Sequence, residues 1–216
     1  MLNSQLEQDL RDGAEYLKTA DPILADLIQA VGPIHLPLDT DYFSALIGAI
    51  IAQQLSGRAS ERIRARFMDL FDLNRPFTPA NVAALSAEEL RGVGLSAQKA
   101  SYIQDLATRV ADESLDLAAL ASMDDEEVIS RLLPVKGIGV WTAQMFLIFS
   151  LGRLDVLPTE DLGLRTAVQK AYGLPHLPKK DDLVDLAGPW RPYCTVATLY
   201  LWRGLGTNEQ EQARDF

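Results

Sequence analysis

Apolar residues along this chain recur at helical spacing almost from the first position, and the two-residue alternation of a strand is nearly absent. The opening MLNSQLEQDLRDGAEYLKTA has a helical rhythm. Asp21-Pro22 then pairs a capping side chain with a proline at the first turn, ahead of Ile23, Leu24, Leu27, Ile28 and Val31. After a proline-containing stretch to Pro37, the residues Phe43, Leu46, Ile47, Ile50 and Ile51 share one helical face. Pro76 and Pro79 mark a break, Ser86 with Glu89 reads as a capping box, and Ser122 with Asp125 as a weaker acidic version. Gly92 and Gly94 separate a short helix from one beginning near Ala97. From Val140 to Leu151, Trp141, Ala143, Met145, Phe146, Leu147, Ile148 and Phe149 leave little room for a wet face, which predicts a central, buried helix. Later helices are expected to begin near Glu160, Lys180 and Pro192, and the polar segment from Gly206 to Phe216 is expected to fray. The fold class is therefore all-α.

Composition narrows the setting. A hydrophobic fraction of 48% in 216 residues is ample for a core. The N-terminal residues lack the basic start and apolar centre of a signal peptide, and no run has the length needed to cross a bilayer. A single cysteine, Cys194, excludes an internal disulfide and a four-cysteine iron–sulfur site. His35 and His176 form no recognisable ligand pair. A cytoplasmic, bacterial-type location with reduced thiols and a monomeric state are expected, with no cofactor and no membrane partner. Twenty Lys and Arg against thirty Asp and Glu give −10, the wrong sign for a protein that coats nucleic acid electrostatically. Arg58, Arg62, Arg64 and Arg66 form a local basic patch that reads equally well as a solvated helix face.

One turn carries candidate chemistry. In Leu132-Leu133-Pro134-Val135-Lys136-Gly137-Ile138-Gly139, the two glycines permit positive backbone dihedrals and expose amides beside the start of the next helix, where an anion is favoured. Ile138 can pin the turn to the core, and Lys136 can meet a phosphate. Glycine pairs of this kind also occur in purely structural turns.

The stretch resembles the helix–hairpin–helix signature, which grips one DNA strand through backbone contacts. The resemblance extends through Trp141-Thr142-Ala143, Leu157-Pro158-Thr159-Glu160-Asp161, Trp190-Arg191-Pro192-Tyr193 and Leu201-Trp202, and upstream through Ile51-Ala52-Gln53-Gln54-Leu55-Ser56 and Gly94-Leu95-Ser96 with Lys99. Over roughly residues 40 to 205 the chain is similar to the 3-methyladenine DNA glycosylase II family of the helix–hairpin–helix base-excision superfamily. That resemblance implies two helical lobes with a cleft between them: a central lobe of residues 39–151 with the helix–hairpin–helix, and a second lobe from 1–38 and 152–216 carrying the catalytic aspartate. It implies double-stranded DNA containing damaged bases as partner, and a monovalent Na⁺ or K⁺ held by backbone carbonyls near Gly137 and Gly139.

The same resemblance makes Asp161 the catalytic residue, facing the sugar of a flipped nucleotide, with Glu160 its acidic neighbour. Independently, Thr159 can cap a helix whose first turn holds both acids, and either acid could simply stabilise that terminus. Bifunctional members carry a nucleophilic lysine two places beyond the last hairpin glycine; here that residue is Trp141, which points to hydrolysis by water without strand cleavage. Trp141, Trp202, Met145 and Tyr193 are expected to line the base pocket, the tryptophans by cation–π contact with a cationic base. Met145 stands where a bacterial member has an aromatic residue. Gln53 and Gln54 are expected at the gap left by the extruded nucleotide, and Arg165 as a phosphate contact. A glycosylase for uracil or mismatched adenine, and a non-catalytic helix–hairpin–helix DNA-binding protein, are the alternatives.

Overall fold

The computed structural model describes residues 2–205, and no strand occurs among them. The tail from Gly206 to Phe216 lies outside the described residues. Twelve helices follow one another: α1 (Leu2–Ala20), α2 (Pro22–Val31), α3 (Tyr42–Ala52), α4 (Gly57–Met68), α5 (Pro79–Ala83), α6 (Ala87–Gly92), α7 (Ala97–Ala111), α8 (Asp125–Leu132), α9 (Val140–Phe149), α10 (Leu162–Ala171), α11 (Lys180–Leu186) and α12 (Cys194–Leu205). The described residues divide into two compact units, one joining residues 2–38 to 147–205 and the other holding 39–146.

In the first unit, α12 packs against α1, α2 and α10. The α1 positions that face inward, Leu6, Leu10, Ala14 and Leu17, keep the spacing of one helical stripe. Asp21 caps α2 as the sequence predicts, accepting the Ile23 and Leu24 amides at 2.9 and 3.2 Å. Its second oxygen accepts the Trp190 indole N–H at 3.1 Å and the Tyr172 hydroxyl. The carboxylate is buried, so this complete set of donors is what makes its burial tolerable. Burial, then the bond to Asp21, pushes the Tyr172 hydroxyl pKa up, so it stays a donor.

In the second unit α7 packs against α3, α5 and α6. The five α3 residues assigned to one face are all buried. Phe43, Phe67, Phe71 and Phe77 form a cluster with ring centroids 5.2–6.3 Å apart. Both halves of the Ser86–Glu89 capping box are present. Glu89 also meets Arg75 at 2.6 Å, and that bond is the leading cause of a carboxyl pKa held at about 2. The weaker box differs from expectation. Asp124 caps α8 by accepting the Glu127 amide at 2.8 Å, while Ser122 donates to Ala119 O and closes a separate 3-10 turn. Asp124 is the acceptor in register with the third amide of the helix.

Helix α9 has no polar face. Thr142, Ala143, Met145, Phe146, Leu147 and Ile148 are buried, and Trp141, Gln144 and Phe149 are half-buried.

Candidate active site

The hairpin between α8 and α9 belongs to the 39–146 unit. Gly137 has φ +82, and a Cβ there would sit 2.1 Å from Tyr102 Cδ2, so both backbone and neighbour demand glycine. Gly139 departs from expectation: its φ is not positive, and nothing lies within 4 Å of where its Cβ would be. The protein's own atoms do not require glycine at 139, which leaves its smooth exposed backbone available to a close external contact. Ile138 is buried and pins the turn. The Lys136 amide donates to Asp105 Oδ2 at 3.0 Å, and the Lys136 ammonium stands 4.0 Å from Asp105 Oδ1. This hairpin amide is therefore spent inside the protein.

Two of the carbonyls in the hairpin expected to meet a cation also accept hydrogen bonds within the protein. Gly137 O accepts Gln53 Nε2 at 2.8 Å, and Gly139 O accepts the Ala143 amide at 3.0 Å. Each oxygen accepts one bond and keeps a second lone pair.

Asp161 lies in the other unit and caps α10 itself. This corrects the expected cap: Thr159 is buried, and Glu160 is exposed outside the helix. Asp161 has φ −67 and ψ 119, the extended geometry of a cap residue. Its Oδ1 accepts the Leu164 amide at 2.6 Å and the Trp202 indole N–H at 2.9 Å. Trp202 is half-buried, and its ring lies nearly parallel to Phe149, 13° apart at 6.1 Å. The group tolerates little bulk nearby, since a Cβ on Gly163 would stand 3.1 Å from Asp161 Oδ1 and 3.4 Å from Trp202 Nε1.

The segment leading to Asp161 is fastened to the start of α12. Asp155 pairs with Arg191 at 2.7 Å and accepts the Cys194 amide at 3.2 Å. Thr195, fully buried, donates to Arg153 O at 2.7 Å and accepts the Val156 amide at 3.0 Å. Burial is the first cause that pushes the Cys194 thiol up to about 12, so the single cysteine is inert. Asp155, Thr195, Tyr102 and Asp105 were not singled out from sequence. The two aspartates and Thr195 offered only their type, short polar side chains beside apolar helix faces, and Tyr102 reads as an ordinary aromatic on a helix.

The remaining expected site residues take varied places. Trp141 is half-buried on α9 and Met145 is buried. Tyr193 rests on α1, 5.4 Å from the Tyr16 ring, with its ring edge 2.7 Å from where a Gly13 Cβ would be. Arg165 directs Nε to Pro178 O at 2.8 Å and braces the approach to α11. Gln53 uses its amide on the hairpin, whereas Gln54 is exposed with φ +58. Among the described residues, no cluster of three or more His, Cys, Asp or Glu is arranged to hold a metal ion, and no helix is long and apolar enough to cross a membrane.

A family model described as the HhH-GPD superfamily base excision DNA repair protein matches residues 47–192. The DNA-3-methyladenine glycosidase of Bacillus halodurans superposes with a TM-score of 0.81 at 36% identity, covering 92% of this chain and 91% of that one. The 3-methyladenine DNA glycosylase Mag1 of Schizosaccharomyces pombe, solved in complex with abasic DNA, gives a TM-score of 0.76 at 29% identity over 89% of this chain and 95% of that one. The Bacillus subtilis protein YfjP is 33% identical over 79% of this chain, which spans 61% of that relative's length. With its glycine hairpin and its aspartate cap in the matched segment, the chain belongs to the HhH-GPD superfamily of base-excision DNA repair proteins and, within it, to the 3-methyladenine DNA glycosylase II family.

Proposed function

We propose that this chain is a monofunctional DNA glycosylase. It binds double-stranded DNA containing damaged bases, extrudes an alkylated base of the 3-methyladenine type and hydrolyses its N-glycosidic bond, leaving an abasic site. The observation that carries this reading is the Asp161 carboxylate, fixed by the Leu164 amide and the Trp202 indole at the head of α10. Breaking an N-glycosidic bond leaves positive charge on the sugar as the base departs. A carboxylate held rigidly beside that charge stabilises it, and can orient and deprotonate the water that attacks C1′. An alkylated purine already carries positive charge and leaves without an acid. Reaching the bond requires extrusion of the nucleotide, which the hairpin supports by holding phosphate through main-chain donors. The relative Mag1, solved with abasic DNA, supports the product assignment. Trp141, in place of the nucleophilic lysine, directs the reaction to water.

The test is single-turnover release of an alkylated purine from saturated duplex. Asp161→Asn keeps size and removes charge, so release should fall about 10²-fold or more while DNA affinity survives. Glu160→Gln should react as the wild type does, and borohydride should trap no covalent adduct in any form. Near-wild-type release by Asp161→Asn with collapse in Glu160→Gln would move the catalytic assignment one residue upstream.

A further inference from the structure

We propose that Lys99 is a positioning residue that holds the Gln53–Leu55 turn at a fixed reach from the phosphate hairpin, so that Gln54 and Leu55 enter the base stack when the hairpin grips the strand. The inference rests on the glycosylase reading above.

Lys99 Nζ donates to Ile51 O and to Gln53 O, both at 2.6 Å. Carbonyls at the end of a helix lack the amide that a further turn would supply, and an ammonium suits them. No carboxylate bonds this ammonium among the described residues, and burial alone pulls its pKa below the ordinary lysine value. A partly buried cation whose side-chain bonds run to two carbonyls and to no carboxylate is there for geometry. The turn it secures is unusual, since Gln54 adopts φ +58, a costly conformation for a residue with a Cβ. Beside it Leu55 is 39% exposed, an apolar side chain left partly open to solvent. Apolar and amide side chains presented together on a rigid turn suit insertion between bases.

The turn is also tied to the hairpin. Gln53 Nε2 donates to Gly137 O at 2.8 Å. On α7, one turn beyond Lys99, the Tyr102 ring covers Gly137, and Asp105 one turn further bonds the Lys136 amide. Lys99, Tyr102 and Asp105 thus form a single stripe of α7 on which both loops are mounted. Gripping phosphate and entering the stack become one rigid-body event.

The decisive comparison uses Lys99→Met, which keeps the stem and removes both bonds, on full-length protein with two substrates. One carries the alkylated purine paired in duplex, and the other carries it in an unpaired bulge where extrusion costs little. Lys99→Met should release the paired lesion about 10-fold more slowly or worse. It should match the wild type on the bulged lesion and in affinity for undamaged duplex. Lys99→Arg, which retains donors, should recover most of the paired rate, and Gln54→Ala should add little loss in the Lys99→Met background. A 2-aminopurine beside the lesion should brighten when wild type binds and brighten less with Lys99→Met. Equal loss on both substrates, no loss, or additive effects with Gln54→Ala would overturn the proposal. Because the fluorescence change needs no turnover, a wild type that unstacks the base without releasing it would defeat the glycosylase reading and leave this one standing.

Discussion

Trp202→Phe separates two roles for the last tryptophan, wall of a base pocket and holder of the catalytic carboxylate. Phenylalanine keeps an aromatic face against Phe149 but removes the indole N–H that reaches Asp161 Oδ1 at 2.9 Å. Hydrogen bonds to charged groups contribute about 1.5–3 kcal/mol. Asp161 is half-exposed and keeps the shorter bond from the Leu164 amide at 2.6 Å, so the lower end of that range applies. At about 1.4 kcal/mol per factor of ten, single-turnover release should fall about tenfold, well short of the loss expected for Asp161→Asn. Because the effect acts through the carboxylate, Trp202→Phe combined with Asp161→Asn should be no slower than Asp161→Asn alone. Binding supplies an assay independent of turnover. A duplex carrying a cationic pyrrolidine in place of the sugar should bind the variant more weakly than it binds wild type, whereas one carrying a neutral tetrahydrofuran should not distinguish them. Equal weakening for both duplexes, with a rate loss that persists in the Asp161→Asn background, would refute the positioning role.

Gly139→Val should weaken binding to lesion-containing and ordinary duplex by similar factors in an anisotropy titration, with the melting temperature unchanged, because the protein leaves the space beside residue 139 open. Gly137→Ala should instead destabilise the fold by about 2–4 kcal/mol in urea unfolding, combining overpacking against Tyr102 with a left-handed φ. Burial acts to raise the Asp105 pKa, but the Lys136 amide and the Arg109 guanidinium outweigh it and hold the carboxyl below its ordinary value. Its contribution is therefore complete above the unfolded carboxylate pKa, about 3.9, and is lost as pH falls through the depressed folded value. Hydrogen exchange at the Lys136 amide should stay slow down to that acid range and quicken below it, and in Asp105→Asn the exchange should lose this acid transition.

The features read correctly from sequence are those decided within one turn of helix. Asp21-Pro22 and the Ser86–Glu89 box need only neighbours three residues away, and the α3 stripe needs only its own periodicity. Local sequence leaves the α10 cap open, because Thr159 and Asp161 are both good cap types two positions apart. What selects Asp161 is remote: the Trp202 indole reaches it across 41 positions of sequence. The hairpin braces have the same character. Gln53 meets Gly137 across 84 positions, Lys99 meets Gln53 O across 46, and Asp105 meets the Lys136 amide across 31. Glutamine, lysine and aspartate have no periodic signature that would announce such partners. The two hairpin glycines look alike in sequence, yet one answers to Tyr102 and a left-handed φ and the other to neither.

Those remote braces also bear on how a chain of net charge −10 can hold a polyanion. A surface that repels phosphate overall gains little from indiscriminate contact, and the hairpin's own cation is offset by Asp105 at 4.0 Å. At the hairpin, attraction then comes from neutral amides and the α9 dipole, which act only at short range and in the right direction. A grip of this kind is worth having only if its donors are fixed before DNA arrives. Tyr102 over Gly137, Asp105 on the Lys136 amide and Gln53 on the Gly137 carbonyl supply that rigidity. Acidity elsewhere then penalises contacts made outside the hairpin grip, which lesion-containing and ordinary duplex share.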